Sequence, residues 1–186
     1  LSQVSAPFEK FSRWPHARAK KLLDSFKSSG VDFGATENDV AWLLNECGER
    51  NPVTASREVM KGFSVNDSKI INILSFITGV IAVADGNENG FEAKATLIFD
   101  AFDFDGTRKI TMDEMTILLL SFLKALNIMS GKQGLDPSDA FCEAITIEAY
   151  TMSQRRLDDS INLAEFIAFC NSKGYEKSSD LISLMV

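Results

Sequence analysis

Apolar residues recur at intervals of three and four along almost the whole chain, whereas the alternating pattern of a β-strand is nearly absent. This periodicity is typical of amphipathic helices and predicts an all-α protein. The chain has 186 residues, of which 45% are hydrophobic and 24% are charged. A chain of this composition can bury a sizeable core and does not resemble a disordered segment. We therefore expect packed helices joined by short polar loops.

Helix boundaries are marked by capping residues at the starts and by clusters of Gly, Asn, Ser and Pro at the breaks. Thr36, Asn72 and Ser138 each stand where a helix N-cap is expected. The predicted helical segments, with their caps, are Ala17–Lys27, Thr36–Gly48, Thr54–Phe63, Asn72–Ala84, Phe91–Phe102, Asp113–Met129, Ser138–Met152 and Leu163–Lys173.

A polar stretch rich in Gly and Asn, Asp85–Gly90, predicts a boundary between two halves of the chain. The expected units are an N-terminal domain of residues 17–85, a C-terminal domain of residues 91–173 and a tail of residues 174–186. A second linker, Ser130–Pro137, interrupts the C-terminal half.

Composition excludes several classes of function. The chain carries 26 Asp and Glu against 19 Lys and Arg, and this acidic balance argues against binding to a nucleic-acid backbone. Its 3 Cys and 1 His lack the spacing of a zinc site or a disulfide framework, which favours a reducing, cytoplasmic setting. We find no nucleophile–base pair and no phosphate-binding Gly loop, so we expect no enzymatic activity. The apolar stretches are too short to predict a transmembrane segment.

One loop of the sequence contains the residue types of a metal-binding site. Between two predicted helices, the loop from Asp103 to Glu114 places oxygen-bearing side chains at its first, third, fifth, ninth and twelfth positions. A hard cation such as Ca²⁺ takes six to eight oxygen ligands in a flexible cage. The candidate metal ligands are Asp103, Asp105, Thr107, Lys109 through its backbone carbonyl, Thr111 and Glu114.

This loop resembles the calcium-binding loop of the EF-hand family. The resemblance implies that Glu114 closes the ligand shell and that Ile110, at position eight, pairs with a neighbouring loop. The sequence departs from the family at position six, where Arg108 replaces the preferred Gly. That position requires a left-handed backbone, which costs a non-Gly residue about 1 kcal/mol. The resemblance therefore implies one weakened Ca²⁺ site, with Mg²⁺ less suitable because it tolerates distortion badly.

The same frame recurs at three further loops, residues 28–39, 64–75 and 154–165, which have lost most of the carboxylates at ligand positions. We expect no metal there; in the last loop, Arg156 could instead fill the cation site with its own charge. The resemblance thus covers residues 17–173, as two lobes of paired helix–loop–helix units with short β pairing between loops. It is closer to the calcineurin-B, neuronal calcium sensor and calaxin branch than to calmodulin.

In this family, metal binding opens an apolar groove for a partner helix. Two predicted helices, residues 72–84 and 113–129, are apolar on more than one face. The excess could pack inside, bind an apolar or amphipathic helix of a partner protein, or be covered by the tail at Leu181–Val186. The candidate partner-binding residues are Phe76, Ile77, Met115, Leu118, Leu119 and Phe122.

Two functions remain open. One is a non-catalytic calcium sensor whose single site switches its affinity for a target. The other is a metal-independent structural subunit of a larger cytoskeletal assembly, such as the axoneme of a cilium, an idea that depends on the family resemblance. The intact acidic residues of one loop favour the first function, and the lost ligands of the other three favour the second.

Overall fold

A computed structural model of the chain describes residues 4–65, 68–85, 90–132 and 137–172. The protein is mainly helical, with two short antiparallel strand pairs, in agreement with the predicted all-α class. None of the described helices is long and apolar enough to cross a membrane. After a 3₁₀ turn at Ala6–Phe8, the described elements are α1 (Glu9–Ser12), α2 (His16–Ser29), β1 (Gly34–Thr36), α3 (Glu37–Glu46), α4 (Pro52–Phe63), β2 (Ile70–Asn72), α5 (Ile73–Val83), α6 (Gly90–Phe102), β3 (Lys109–Thr111), α7 (Met112–Met129), α8 (Asp139–Met152), β4 (Ser160–Asn162) and α9 (Leu163–Asn171).

Four helices follow directly on a strand, and each begins at a capping side chain. Thr36, Asn72, Thr111 and Asn162 each accept a hydrogen bond from the backbone N–H three residues later. These caps satisfy backbone donors that the first helical turn leaves unpaired. All four caps stand at position nine of the loop frame read from the sequence. The predicted caps at Thr36 and Asn72 are confirmed.

The strands join the loops in pairs. Ala35 faces Ile71 between β1 and β2, and Ile110 faces Ile161 between β3 and β4. These four side chains are at most 3% exposed, so each pair forms an apolar contact beneath its two loops. The predicted pairing of Ile110 with a neighbouring loop is confirmed, and its partner loop is residues 154–165.

One hydrophobic core runs through both halves of the chain. Its centre is α5, in which every residue from Ile73 to Val83 is buried. Gly79 lets α7 approach closely, because a Cβ at this position would lie 2.9 Å from Met129 Cε and 3.1 Å from Ala125 Cβ. The polar boundary near residues 85–90 therefore does not divide the core. Residues 86–89, 133–136 and the tail, including Leu181–Val186, lie outside the described residues.

The candidate partner-binding residues lie in the interior of the structure rather than on its surface. Each is at most 3% exposed, because α5 and α7 pack against each other and against their neighbours. Among internal packing, a partner helix and the tail, internal packing is the arrangement that these residues show here. A partner would reach them only after the helices rearrange. The residues concerned are Phe76, Ile77, Met115, Leu118, Leu119 and Phe122.

The residues before α2, for which the sequence predicts no role, contribute to the core. Phe8, Phe11 and Trp14 are at most 3% exposed and belong to the core. Their spacing of three is the signal that could have identified them, since aromatic residues three apart lie on one side of a helical turn.

Candidate metal centre

The candidate loop begins where α6 ends. Asp103 is only 7% exposed, and its backbone N–H donates to the carbonyl of Phe99 at 3.1 Å. Its Oδ2 accepts a hydrogen bond from the backbone N–H of Arg108 at 3.0 Å. Its Oδ1 is buried and has no hydrogen-bond partner among the described residues. A buried carboxylate oxygen without a donor is unfavourable, and a bound cation would satisfy it.

The next three candidate ligands form a short chain of contacts. The exposed Asp105 accepts a hydrogen bond at Oδ1 from the backbone N–H of Thr107 at 3.1 Å. Hydrogen bonds from the side chain and backbone of Thr107 lower the pKa of Asp105, which keeps it ionised. The Thr107 hydroxyl lies 3.5 Å from the carbonyl oxygen of Lys109, a long and weak contact. The structure thus brings the third, fifth and seventh loop positions together.

The backbone of the loop turns through two left-handed residues. Gly106 has a φ of 70° and Arg108 has a φ of 61°. The left-handed conformation predicted for position six is confirmed at Arg108. Among the described residues, Gln154 is the other non-Gly residue with a positive φ, and it opens the fourth loop.

Glu114 closes the loop as part of a capping box at the start of α7. Its Oε2 accepts hydrogen bonds from the backbone N–H of Thr111 at 2.8 Å and from the Thr111 hydroxyl at 2.9 Å. This carboxylate is therefore held at the helix start. Within the described ranges, no three His, Cys, Asp or Glu side chains are gathered into a group that could hold a metal.

Tyr150 holds the β3 strand of the candidate loop in place, a role that the sequence did not predict. Its buried hydroxyl donates to the carbonyl of Ile110 at 3.0 Å, which fixes the middle of β3 against α8. Burial raises the pKa of Tyr150 to about 12, and the nearby carboxylates of Glu114 and Asp113 add to the rise. The hydroxyl consequently remains a donor at neutral pH.

In the fourth loop, an arginine pairs with the carboxylate at the twelfth position. The guanidinium of Arg155 donates to Glu165 Oε1 from Nε at 3.0 Å and from Nη2 at 2.8 Å. Arg156 instead pairs with the exposed Asp158 at the fifth loop position, so Arg155 and not Arg156 is the arginine that reaches Glu165. Arg155 directly follows the left-handed Gln154, and we infer that this backbone turn determines which arginine reaches Glu165.

The first two loops offer few ligands. Asp39 is committed to the cap of α3, where its Oδ2 accepts from the backbone N–H of Thr36 at 2.8 Å. In the second loop, the Ser64 hydroxyl donates to the carbonyl of Met60, and Asn66 lies outside the described residues.

Exposed aromatic rings connect the first loop to the third. Phe33 and Phe104 have ring centroids 5.3 Å apart, although they are 55% and 46% exposed. They border an open cavity of about 610 Å³ that Asp32 and Asp103 also line. The candidate centre is thus in contact with the N-terminal half of the chain.

Neither the models of known protein families nor the curated proteins contain a match to this chain. The interpretation of this loop as a metal centre therefore depends on the residues and the geometry of the loop alone.

Proposed function

We propose that this chain is a non-catalytic calcium-binding protein of the EF-hand type, with one Ca²⁺ site at Asp103–Glu114. The observation that carries the proposal is the buried carboxylate of Asp103, whose Oδ1 has no hydrogen-bond partner among the described residues. It stands at position one of a loop whose sixth residue is left-handed and whose eighth residue pairs with a second loop. This combination fits a hard divalent cation.

The ion would be held by oxygen atoms spaced along the loop, which would have to converge on it. Two aspartates supply negative charge, two threonine hydroxyls and the Lys109 carbonyl supply neutral oxygens, and Glu114 completes the set. The cap on Thr111 engages Oε2 of Glu114, so binding of the metal by both carboxylate oxygens would compete with helix capping. Mg²⁺ is less suited, since it requires a near-ideal octahedron of ligands.

In the same proposal, the chain engages a partner protein through an apolar or amphipathic helix of that partner. The support comes from the family resemblance and from the large apolar surface of α5 and α7. These helices are covered here, so a partner would have to displace something that now covers them. A cytoplasmic setting is part of this proposal, and membership of a cytoskeletal or ciliary assembly belongs to the second candidate function.

A second candidate function is a metal-independent structural subunit. The observation that favours it is the ion pair between Arg155 and Glu165, which supplies a positive charge to the fourth loop without any metal. The cap formed by Glu114 likewise stabilises the third loop without metal. A scaffold of this kind would keep its shape whether or not Ca²⁺ is present.

Calcium titration by calorimetry, supported by equilibrium dialysis, tests the proposal on the full chain with millimolar Mg²⁺ present. Glu114→Gln is the test variant, and Glu165→Gln is its matched control. Both glutamates occupy the third position of a helix with a capping box, so both substitutions disturb a cap, and Glu165→Gln in addition weakens the ion pair with Arg155. Only Glu114 belongs to the proposed metal site.

We expect one Ca²⁺ site with a dissociation constant of about 10⁻⁵ M, at the weak end of the range for calcium sensors. Glu114→Gln should abolish it, and Glu165→Gln should leave it unchanged. If the unmodified chain takes up no Ca²⁺ while its circular dichroism remains helical, the sensor proposal fails. The structural subunit then becomes the better account.

A further inference from the structure

The residues before α2 form an arm, Ser5–Trp14, that lies in a groove of the helical body. Its two helical pieces, Ala6–Phe8 and α1, have three and four residues. Helices this short are not stable alone in water, so contacts with the rest of the protein must hold the arm in its shape. The arm is therefore an occupant of a surface formed by other elements.

Aromatic side chains anchor the arm in the groove. The ring of Phe8 meets that of Phe63 at the end of α4, with centroids 5.7 Å apart and nearly perpendicular planes. The ring of Phe11 meets that of Phe76 in α5 at 5.5 Å. Gly62 makes room for the first ring, because a Cβ there would lie 2.5 Å from Phe8 Cζ. The groove is thus shaped to accept large rings three residues apart.

Polar contacts hold the edges of the arm. The ammonium group of Lys10 pairs with Glu58 of α4 at 2.6 Å. The backbone N–H of Ser5 donates to the carbonyl of Met129, the last residue of α7, at 2.7 Å. Both members of the ion pair are substantially exposed, with side chains 31% and 44% accessible. An occupant with a basic residue at this point therefore matches the charge of the groove.

The arm does not fill the groove. A cavity of about 640 Å³ lies beside Ser5–Phe8 and continues along α4 and the end of α7, where Lys61, Ile128 and Gly131 line it. At its other end, Trp14 has contacts outside the arm: its carbonyl accepts from the N–H of Asp85 at 2.9 Å, and the guanidinium of Arg18 lies 3.9 Å from its ring centroid. Departure of the residues before Trp14 would break its contacts with Phe11 but leave these two in place.

We propose that the arm is a built-in competitor for this groove, and that the partner it excludes is an amphipathic helix with aromatic anchors three residues apart and a basic residue facing Glu58. This inference refines the proposed function, on which it rests, by identifying how access of a partner is regulated. The arm occupies the place of that helix at a high effective concentration, since it is part of the same chain. A partner binds only when it displaces the arm.

A reversible lock tests this competition. A Cβ at Gly131 would lie 3.5 Å from Ser5 Cβ, which is within the range of a disulfide. Gly131 has a φ of 73°, so a cysteine there carries backbone strain, which is present in the oxidised and reduced proteins alike. The full chain carrying Ser5→Cys and Gly131→Cys can be compared in its oxidised and reduced states, so that one protein serves as its own control. The native Cys47, Cys142 and Cys170 are buried. The probe is a fluorescent peptide with the sequence of residues 4–15, measured by anisotropy.

We expect the reduced protein to bind this peptide about tenfold more tightly than the oxidised protein. A peptide with Lys10→Glu should bind the reduced protein about threefold more weakly, as for a partly exposed ion pair. Glu58→Lys in the reduced protein should restore its binding. Equal binding in both oxidation states would overturn the proposal, as would no binding to either, since the arm would then be a permanent part of the core.

Two further measurements separate the alternatives. Every titration is run in EDTA and again in Ca²⁺, because the lock acts without metal. If peptide binding differs between the oxidised and reduced states in a protein that binds no Ca²⁺, the result supports the arm as a competitor. Only the calcium-sensing part of the proposed function then fails. Light scattering on the reduced protein shows whether two copies of the chain exchange their arms. Dimers that form with increasing concentration would overturn the proposal that the partner is a helix of another protein.

Discussion

At Arg108, the candidate metal loop holds a residue that is poorly suited to its backbone. With a φ of 61°, Arg108 adopts a conformation that Gly reaches without steric cost. We expect Arg108→Gly to raise the free energy of unfolding in EDTA by about 0.5–1 kcal/mol, measured by urea denaturation. Arg108→Ala is the matched control, because it removes the guanidinium but keeps the Cβ. An equal gain in both variants would show that charge, and not backbone strain, is responsible.

The ion pair in the fourth loop predicts a pH dependence. Partial burial alone would raise the pKa of Glu165, but the backbone N–H of Asn162 and the guanidinium of Arg155 together lower it below the ordinary value of a glutamate. A carboxylate with a depressed pKa stabilises the fold above its unfolded pKa, and that contribution is lost as the pH falls through the folded pKa. The stabilisation is therefore complete above about pH 5 and disappears in more acidic solution.

Arg155→Ala tests this pH dependence. We expect it to lower the free energy of unfolding at pH 7 by less than about 1 kcal/mol, because the paired side chains are 42% and 21% exposed to solvent. The loss should shrink as the pH falls and Glu165 takes up a proton, because the ion pair then no longer contributes. Arg156→Ala is the control, since its pair with Asp158 is far more exposed, and it should change little at any pH. A larger effect at position 156 would contradict the assignment of Arg155.

At the scale of elements, the contact between α5 and α7 depends on Gly79. In Gly79→Ala, the added methyl group would meet the flexible end of Met129, which can move, and the Cβ of Ala125 at 3.1 Å, which cannot. Overpacking of this kind costs about 1–3 kcal/mol, while the better helix propensity of Ala returns up to about 1 kcal/mol. We expect a net loss of about 1 kcal/mol in thermal or urea unfolding.

A double variant tests whether that loss arises at the interface. Ala125→Gly removes the methyl group that the new side chain would meet, so the two substitutions together should cost less than the sum of their separate effects. Strict additivity would place the effect of Gly79→Ala inside α5 itself and would contradict the proposed close approach.

The helices and caps could be predicted because their signals are local. Thr36 and Asn72 indicate helix starts by their residue type and spacing. The helix α4 begins at Pro52, only two residues before the predicted Thr54. The left-handed turn at Arg108 and the pairing of Ile110 followed from the loop frame. Each of these features depends on a few neighbouring residues.

What could not be predicted depends on contacts between distant parts of the chain. Whether the apolar faces of α5 and α7 meet each other or a partner depends on their packing, which hydrophobic periodicity does not specify. The same applies to the hydrogen bond from Tyr150 to Ile110 and to the choice of Arg155 over Arg156. The arm before α2 was missed because its helices have only three and four residues, so the spacing of Phe8, Phe11 and Trp14 is too short a pattern to indicate burial by itself.

At the scale of the whole molecule, the shared core connects the arm and the metal loop. The arm packs on Phe76 in α5, and α5 packs on α7, the helix that begins at Glu114. The arm and the metal loop are thus connected through α5 and α7, so that a structural change at one reaches a helix that packs against the other's contacts. Phe33 and Phe104 form a second contact between the two halves, at the loops themselves.

Because the core is continuous, we expect the two halves to unfold together. Both Trp residues, Trp14 and Trp42, lie in the N-terminal half, so tryptophan fluorescence reports on that half alone. Far-UV circular dichroism reports on the helices of both halves. In urea with EDTA, the two signals should give one transition with the same midpoint, as for a two-state protein. Gly79→Ala should then lower both midpoints equally. A fluorescence transition that is complete while helical signal remains would show that the halves unfold separately, and the contact between α5 and α7 would not couple them.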